Sequence, residues 1–281
     1  MSALTPLELL FERDHGYDVP LPPVLLTLYG HLAFPLHVSR PYVVGNFVTT
    51  LDGVVTLNEP GHAGGGDISG FNQHDQLVMG LLRAVADAVI VGAGTLRSAP
   101  QHRWTASYIY PPLAEVYQQL RTNLGKPPSP LNIIVTEHGN VNLDFPVFQS
   151  GEAPVLLITT ARGMERIDVH RLPPGVELEA IQHSGPLNAL TLLEIVANHT
   201  SQNVMILVEG GPQLLGDFLA ANALDELFLT LAPQIAGRDT SVERPGLVSG
   251  KLFASEHPLW GTLIGIKRGG SHLFLRYTFK K

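Results

Sequence analysis

The stretch that decides the fold is Val204-Met205-Ile206-Leu207-Val208-Glu209-Gly210-Gly211-Pro212-Gln213-Leu214. The apolar run Val204–Val208 is typical of a buried strand, and two glycines follow it after a single carboxylate. Pro212 suits the first turn of a helix, so the pattern predicts a strand, a tight turn and a helix over Pro212–Asn222. The free N–H groups at such a helix start form an anion site that suits a pyrophosphate.

Glu209 stands where this apolar strand ends. A carboxylate is seldom carried into a protein interior without a partner. Ligands of open α/β sheets bind outside the carboxyl ends of the strands, which is where Glu209 is expected. We therefore interpret Glu209 as functional rather than structural.

Two other strand ends carry similar signals. Val89–Thr95 runs from apolar residues into Gly92-x-Gly94, but Arg97 stands where a dinucleotide fingerprint needs its last glycine. Asn46 and Asp52 flank the end of a β-rich run, ahead of a glycine-rich loop. Alone, the first pattern is equally well explained by an ordinary turn, and Asp52-Gly53 reads as a turn. Three such strand ends together predict one crevice.

The rest of the chain alternates strands with helices, which predicts an α/β fold with a mainly parallel sheet flanked by helices. A closing antiparallel hairpin around Gly269-Gly270 makes the sheet mixed. The predicted strands are Tyr42–Thr49, Ala88–Val91, Asn132–Thr136, Val155–Thr159, Val204–Val208, Glu226–Leu231, Leu263–Lys267 and Leu273–Phe279, and the predicted helices are Asn72–Ala86, Pro111–Leu124, Leu190–Asn198 and Pro212–Asn222. Residues 53–70 are expected to form a loop.

Residues 1–40 differ from the remainder because prolines interrupt short apolar pieces. We expect them to form an N-terminal extension that packs on a single domain, residues 41–281.

Composition excludes several classes of function. The net charge of −7 disfavours a nucleic-acid partner, since phosphate binding needs a basic face. Without cysteine the chain has no disulfides, no thiolate catalysis and no cysteine-ligated metal. The histidines lack the spacing of a metal site, so we expect no metal; those considered are His62, His74, His102, His183 and His199.

No apolar stretch approaches the length of a membrane span, and the N-terminus lacks the pattern of a secretion signal. The sequence therefore predicts a cytoplasmic protein without a membrane partner.

Four ordered segments carry a resemblance to a known family. They are Thr50-Leu51-Asp52-Gly53, Leu82-Arg83-Ala84-x-x-Asp87-Ala88, Val91-Gly92-Ala93-Gly94-Thr95 and Val208-Glu209-Gly210-Gly211. In this order and spacing they resemble the reductase domain of riboflavin biosynthesis, which is the C-terminal half of a bifunctional deaminase–reductase. Leu224-Asp225-Glu226-Leu227 followed by Ala232-Pro233 and Gly237 extends the match, which covers about residues 41–281.

The resemblance implies a dihydrofolate-reductase-like fold, NADPH as the cofactor and a homodimer. It implies that Glu209 and Arg83 contact the substrate and that Asn46 lies near the sugar. Glu209, then Asp52 in a polar or acid role, are the expected catalytic residues. The expected cofactor-binding residues are Gly92, Gly94, Thr95, Thr159, Gly210, Gly211, Pro212, Gln213, Leu214 and Leu215.

The sequence also departs from the family pattern. Ala99 stands where the family usually has an aspartate, and the usual tryptophan before the first helix is replaced near Asp67-Ile68-Ser69. The zinc-deaminase half is absent.

The resemblance predicts NADPH-dependent reduction of a small polar heterocycle, namely of the ribosyl side chain of a ribosylaminopyrimidine. One alternative is a reductase of the same fold that acts on a pterin or uses a deazaflavin. The other is a non-catalytic nucleotide-binding protein, which the Ala99 departure leaves open.

Overall fold

The computed structural model describes residues 4–13, 16–37, 40–181, 187–200 and 203–279, so His183 lies outside the described residues. Within these ranges every helix is too short or too polar to cross a membrane. The strands, numbered in chain order, are β1 (Glu8–Glu12), β2 (Tyr17–Asp18), β3 (Ala33–Phe34), β4 (Tyr42–Thr49), β5 (Ala88–Gly92), β6 (Leu131–Thr136), β7 (Val155–Thr160), β8 (Val176–Ile181), β9 (Met205–Val208), β10 (Glu226–Leu231), β11 (Gly261–Gly269) and β12 (His272–Phe279). The helices are α1 (Pro23–Tyr29), α2 (Gly65–Ser69), α3 (Gln73–Val85), α4 (Ala93–Ser98), α5 (Ala106–Ile109), α6 (Ala114–Asn123), α7 (Pro146–Gln149), α8 (Ala161–Met164), α9 (Ala189–His199) and α10 (Pro212–Ala220).

One large sheet organises the molecule, in the strand order β1-β11-β12-β10-β4-β9-β5-β6-β7-β8. The strands from β10 to β8 run parallel to one another. β11 and β12 form an antiparallel hairpin that joins the sheet through β10, and β1 pairs antiparallel with β11 at the outer edge. The predicted mixed, mainly parallel sheet with a closing C-terminal hairpin is therefore confirmed.

Helices cover both faces of the sheet, which explains the continuous apolar strands. Successive side chains of β5 enter opposite layers because a strand alternates its faces. Val89 and Val91 pack in the core layer that contains Leu77 of α3. Ile90 packs in the other layer, with Leu215 of α10.

Helix α3 carries two polar residues, Asp75 and Arg83, into the site. Its N-terminus is capped by Asn72, whose side-chain oxygen accepts hydrogen bonds from the backbone N–H groups of His74 and Asp75 at 2.9 and 3.1 Å. Its apolar side, including Leu81, is buried against the sheet. The side chain of Arg83 reaches the carboxyl edge of the strands, since its Nε lies 2.9 Å from Oε2 of Glu209, the residue that follows β9.

The N-terminal residues share the core of the remainder. Leu25 and Leu32 are fully buried in the same cluster as Tyr42 and Val44 of β4. The division of the chain at residue 40 stays a prediction.

The structure differs from the sequence-based prediction in local detail. The predicted loop 53–70 contains the short helix α2. The predicted helix Pro111–Leu124 begins as a 3-10 turn over Pro111–Leu113, and the α-helix α6 follows it. β8 was not predicted, because Glu177 and Glu179 interrupt its apolar residues. This strand lies at the edge of the sheet, where it pairs with β7.

Candidate active site

The predicted strand ends meet at one edge of the sheet. β9 lies between β4 and β5 and is parallel to both. The segment after β9 therefore lies between the ends of β4 and β5, and the structure brings Asn46, Glu209 and the two glycine turns into one crevice.

The two glycine turns pack directly against each other. The backbone N–H of Glu209 donates to the carbonyl of Ile90 at 3.1 Å. A Cβ atom on Gly210 would lie 2.5 Å from Val91 and 2.9 Å from the nitrogen of Gly92, so no larger residue fits there. Gly211 has a φ of 69°, which favours glycine, and its Cβ would lie 3.7 Å from the hydroxyl of Thr95.

This junction leaves room for a ligand against the backbone. Gly94 is exposed, and a Cβ placed on it would meet nothing within 4 Å. The N-terminus of helix α10 lies beside it. Gly211 is the N-cap residue of this helix, Pro212 lies in its first turn, and Gln213 is exposed. A helix start with free N–H groups beside open backbone fits the pyrophosphate of a dinucleotide. Leu214 and Leu215 are buried in the core, so only their backbone could contact a cofactor.

Thr159 lies apart from this junction. It is on β7, two strands beyond β5, and its side chain is completely buried. Its hydroxyl donates to the carbonyl of Thr136 at 2.7 Å, beneath Gly163. Its place among the cofactor-binding residues stays a prediction.

Glu209 is held in a buried ion pair. Its side chain is only 4% exposed and that of Arg83 is 1% exposed. Oε2 lies 2.9 Å from Nε and 2.7 Å from Nη2 of Arg83. Oε1 accepts a hydrogen bond from the amide of Asn46 at 3.2 Å. The structure therefore joins Asn46, Arg83 and Glu209 in one network at the crevice.

Arg83 has protein partners at every guanidinium nitrogen. Besides the contacts to Glu209, Nη1 donates to the backbone carbonyl of Thr105 at 3.2 Å, and Nη2 lies 3.3 Å from the sulfur of Met79. Nη2 also lies 2.9 Å from Nε2 of His102. A direct grip on a substrate would require some of these contacts to be exchanged, and substrate contact by Arg83 stays a prediction.

Nothing in the sequence singles out His102 as a member of this network. Its ring packs 4.9 Å from the rings of Trp104 and Tyr108, measured between centroids. Burial, followed by the charges of Arg83 and Arg103, lowers the pKa of His102 well below its ordinary value. It stands in an irregular loop without a recognisable motif, so no local signal could have identified it.

Asp52 ties two loops together. The hydroxyl of Thr50 donates to its carboxylate at 2.6 Å, and the backbone N–H groups of Ala236 and Gly237 donate at 3.1 and 2.8 Å. These hydrogen bonds, led by that of Thr50, lower the pKa of Asp52 to about 2. An ionised carboxylate has no proton to give at neutral pH, and the catalytic role expected of Asp52 stays a prediction.

Asp75 is a second residue that the sequence did not reveal. It is buried in the first turn of α3, where an acidic residue ordinarily sits in solvent. Burial raises the pKa of Asp75, against hydrogen bonds to the side chains of Thr230 and Ser69 that lower it. Its partner Thr230 comes from β10, so only the fold reveals the contact.

Across the part of the chain that the structure describes, no group of three histidine, aspartate or glutamate side chains could hold a metal ion.

Comparison with known proteins identifies the family. A model of the RibD C-terminal domain matches residues 41–263. This chain belongs to the RibD C-terminal domain family. The resemblance inferred from the four sequence segments is thereby confirmed.

Relatives of this RibD C-terminal domain are distant in sequence. A 2,5-diamino-6-ribosylamino-4(3H)-pyrimidinone 5′-phosphate reductase of Archaeoglobus fulgidus is 27% identical over 215 residues, which cover 76% of this chain and 89% of the relative. A pyrimidine reductase-like protein of Corynebacterium diphtheriae has a TM-score of 0.69 and 23% identity, covering 92% of this chain and 98% of that one.

A bifunctional deaminase/reductase of Thermotoga maritima has a TM-score of 0.61 and 20% identity. That match covers 86% of this chain but only 57% of the bifunctional enzyme. The two structural matches support the fold of the family.

Proposed function

We propose that the protein is an NADPH-dependent oxidoreductase that reduces the ribosyl side chain of a ribosylaminopyrimidine 5′-phosphate to a ribityl chain. The family and the activity for which the Archaeoglobus relative is named support this substrate class. The observation that carries the proposal is the continuity of the site: Glu209 in the crevice is followed directly by the Gly210-Gly211 junction that fits a dinucleotide.

The cofactor would be held by the glycine junction, with the N-terminus of α10 facing its pyrophosphate. Gly94 and Gly211 allow the approach, and Thr95 and Gln213 supply polar groups beside it. When bound, NADPH supplies the hydride for the reduction. The residues of the chain orient the acceptor carbon against it and exclude water.

Glu209 contacts the sugar in this proposal, accepting hydrogen bonds from its hydroxyl groups. Arg83 and Asn46 fix the carboxylate from the protein side, so it is already oriented before a substrate arrives. Asn46 uses one amide hydrogen for Glu209, which leaves its other polar groups for the substrate. Asp52 shapes the loop wall of the same crevice.

We also propose that the protein is a cytoplasmic homodimer. The strands of the C-terminal hairpin already have neighbours in this chain, because β1 covers the outer side of β11 and β10 lies against β12. Large exposed apolar residues are found instead in the segment that precedes β11, where Leu252 is 91% and Trp260 is 82% exposed. Sedimentation equilibrium at micromolar concentration should give twice the 30.4 kDa chain mass; a single species of chain mass would contradict the dimer.

The test of the activity combines the purified chain with NADPH and 2,5-diamino-6-ribosylamino-4(3H)-pyrimidinone 5′-phosphate. We expect loss of the reduced-nicotinamide absorbance and a product heavier by two hydrogens. A parallel reaction with reduced deazaflavin separates the two cofactors. NADPH binding without turnover would contradict the proposal and would support a nucleotide-binding protein, the possibility raised by Ala99.

A further inference from the structure

The hydrogen-bond network behind Glu209 includes one residue, His102, that is not needed to balance its charges. It runs from Asn46 through Glu209 and Arg83 and ends at His102. Glu209 already neutralises Arg83, so His102 adds no compensating charge. His102 instead supplies a fixed hydrogen-bond acceptor for Nη2 of Arg83.

The contact between Arg83 and His102 determines the proton position on the imidazole. A guanidinium has donors only and is charged at every accessible pH. Nε2 of His102, 2.9 Å from Nη2, must therefore be the acceptor and carry no proton. The neutral ring consequently bears its proton on Nδ1.

The surroundings of the ring favour this neutral form. Arg83 and Arg103 are the cations that face it, and together with burial they lower the pKa of His102. Trp104 and Tyr108 pack against the ring and restrict its rotation. The acceptor is thus held both in protonation state and in orientation.

Arg83 needs such an acceptor because its side chain is almost wholly buried. Without Nε2 of His102, the second hydrogen of Nη2 would be left with the sulfur of Met79 at 3.3 Å, a weak acceptor, and the guanidinium would shift to regain a stronger hydrogen bond. Since Nε and Nη2 of Arg83 both contact the same oxygen of Glu209, a shift of the guanidinium would move this carboxylate in the crevice.

We propose that His102 is a positioning residue for the reductase: as the neutral tautomer protonated on Nδ1, it holds Arg83 in the orientation that aligns Glu209 with the sugar of the substrate. This inference rests on the proposed function, because it assigns Glu209 to the substrate.

Two variants separate the acceptor from the aromatic ring. His102→Gln keeps an acceptor near the position of Nε2 and removes the ring, whereas His102→Phe keeps the ring contacts and removes the acceptor. We expect His102→Phe to lower kcat/KM for the ribosylaminopyrimidine by about tenfold or more, chiefly through kcat. His102→Gln should stay within about threefold of the wild type, and the affinity for NADPH should not change in either variant.

Leu25→Ala serves as the control for a loss of core packing, because Leu25 is buried in α1, outside the network of Asn46, Glu209, Arg83 and His102. It should lower the thermal midpoint and leave kcat/KM nearly unchanged. Activity retained in His102→Phe and lost in His102→Gln would overturn the proposal in favour of ring packing, and activity retained in both would overturn it as well.

Nitrogen-15 NMR of the histidines in the wild-type protein gives a readout that needs no substrate. His102→Gln assigns the signal, or selective labelling does so if both variants fail to fold. An unprotonated Nε2 supports the proposal, whereas a proton on Nε2 overturns it even in an active enzyme. If the wild type reduces no ribosylaminopyrimidine while Nε2 is unprotonated, the proposed function has failed and the tautomer assignment stands.

Discussion

At the scale of single residues, the buried pair of Glu209 and Arg83 dominates the site. Two charges withdrawn from water contribute little net stability, but removing one of them leaves the other uncompensated. A variant at Glu209 therefore changes stability whether or not this carboxylate touches the substrate. A merely lower melting temperature consequently says nothing about its role in the reaction.

We expect Glu209→Gln to lower the free energy of unfolding by up to about 3 kcal/mol, because Arg83 loses its counter-charge. Among molecules that remain folded, kcat/KM should fall by about 10²-fold, the scale of a positioned polar group at the reacting centre. Denaturant unfolding and steady-state kinetics at a temperature below both transitions measure the two effects. Glu179→Gln, in a surface pair with His199, is the matched control and should change neither quantity. Unchanged kcat/KM in folded Glu209→Gln would remove Glu209 from the reaction.

Asp52 predicts a stability effect that depends on pH. Its folded-state pKa of about 2 lies below the value of roughly 4 for an unfolded aspartate, so the ionised form stabilises the fold. This stabilisation is complete above the unfolded pKa and is lost as the pH falls through the folded one. The difference in thermal midpoint between wild type and Asp52→Asn should therefore shrink from about pH 4 to pH 2. A difference that stays constant over this range would contradict the role of the carboxylate charge.

At the scale of elements, the glycines in the junctions after β5 and β9 differ in whether a side chain could replace the hydrogen. Gly210 leaves no space for a side chain, and Gly211 needs a positive φ, so replacing either one strains the fold. Gly211→Val would consequently be a poor test of cofactor binding. Gly94 has open space and an ordinary φ, so a substitution there reports on the ligand.

Gly94→Ala should raise the Kd for NADPH by roughly tenfold, since a methyl group would keep the pyrophosphate from the backbone. The thermal midpoint should stay level or rise, because alanine is the better helix former within α4. Titration followed by nicotinamide fluorescence, beside a melting curve, gives both values. Gly265→Ala in β11, where a Cβ makes only ordinary contacts, is the control and should bind normally. An unaltered Kd in Gly94→Ala would place the pyrophosphate elsewhere.

Elements with a strong local pattern could be predicted from the sequence. β4 and β10 have the predicted bounds, because their residues combine β-branched and aromatic types between clear breaks. β1 was not recognised because Glu8 and Glu12 flank its few apolar residues, and its pairing with β11 depends on residues far along the chain. In the site, Glu209 was recognised from its place after an apolar strand. His102 and Asp75 were not, since only the tertiary contacts with Arg83 and Thr230 distinguish them.

At the scale of the whole molecule, the N-terminal residues complete both the core and the sheet. Leu25 and Leu32 fill the layer over β4, and β1 covers the outer edge of β11. Without them an apolar surface and an unpaired strand edge would face water, and both promote aggregation.

Deletion of residues 1–40 should therefore lower the thermal midpoint strongly and promote aggregation, although the site residues all lie beyond them. Circular dichroism melting and light scattering of residues 41–281 provide the measurement. Leu25→Ala in the full chain is a milder version and should cost about 2–5 kcal/mol of unfolding free energy. A deletion protein that is as stable as the full chain would show that the extension is dispensable.

The pairing of Glu8 with Arg268 joins residues that are far apart in the chain, and it affects the order in which the sheet assembles. The ribosome makes β1 long before its partner β11. The chain must therefore keep β1 unpaired until β11 has been made, and closing so large a loop costs entropy before any contact compensates for it. We expect β1 to join the sheet as a late and slow step, during which the nascent protein depends most on chaperones.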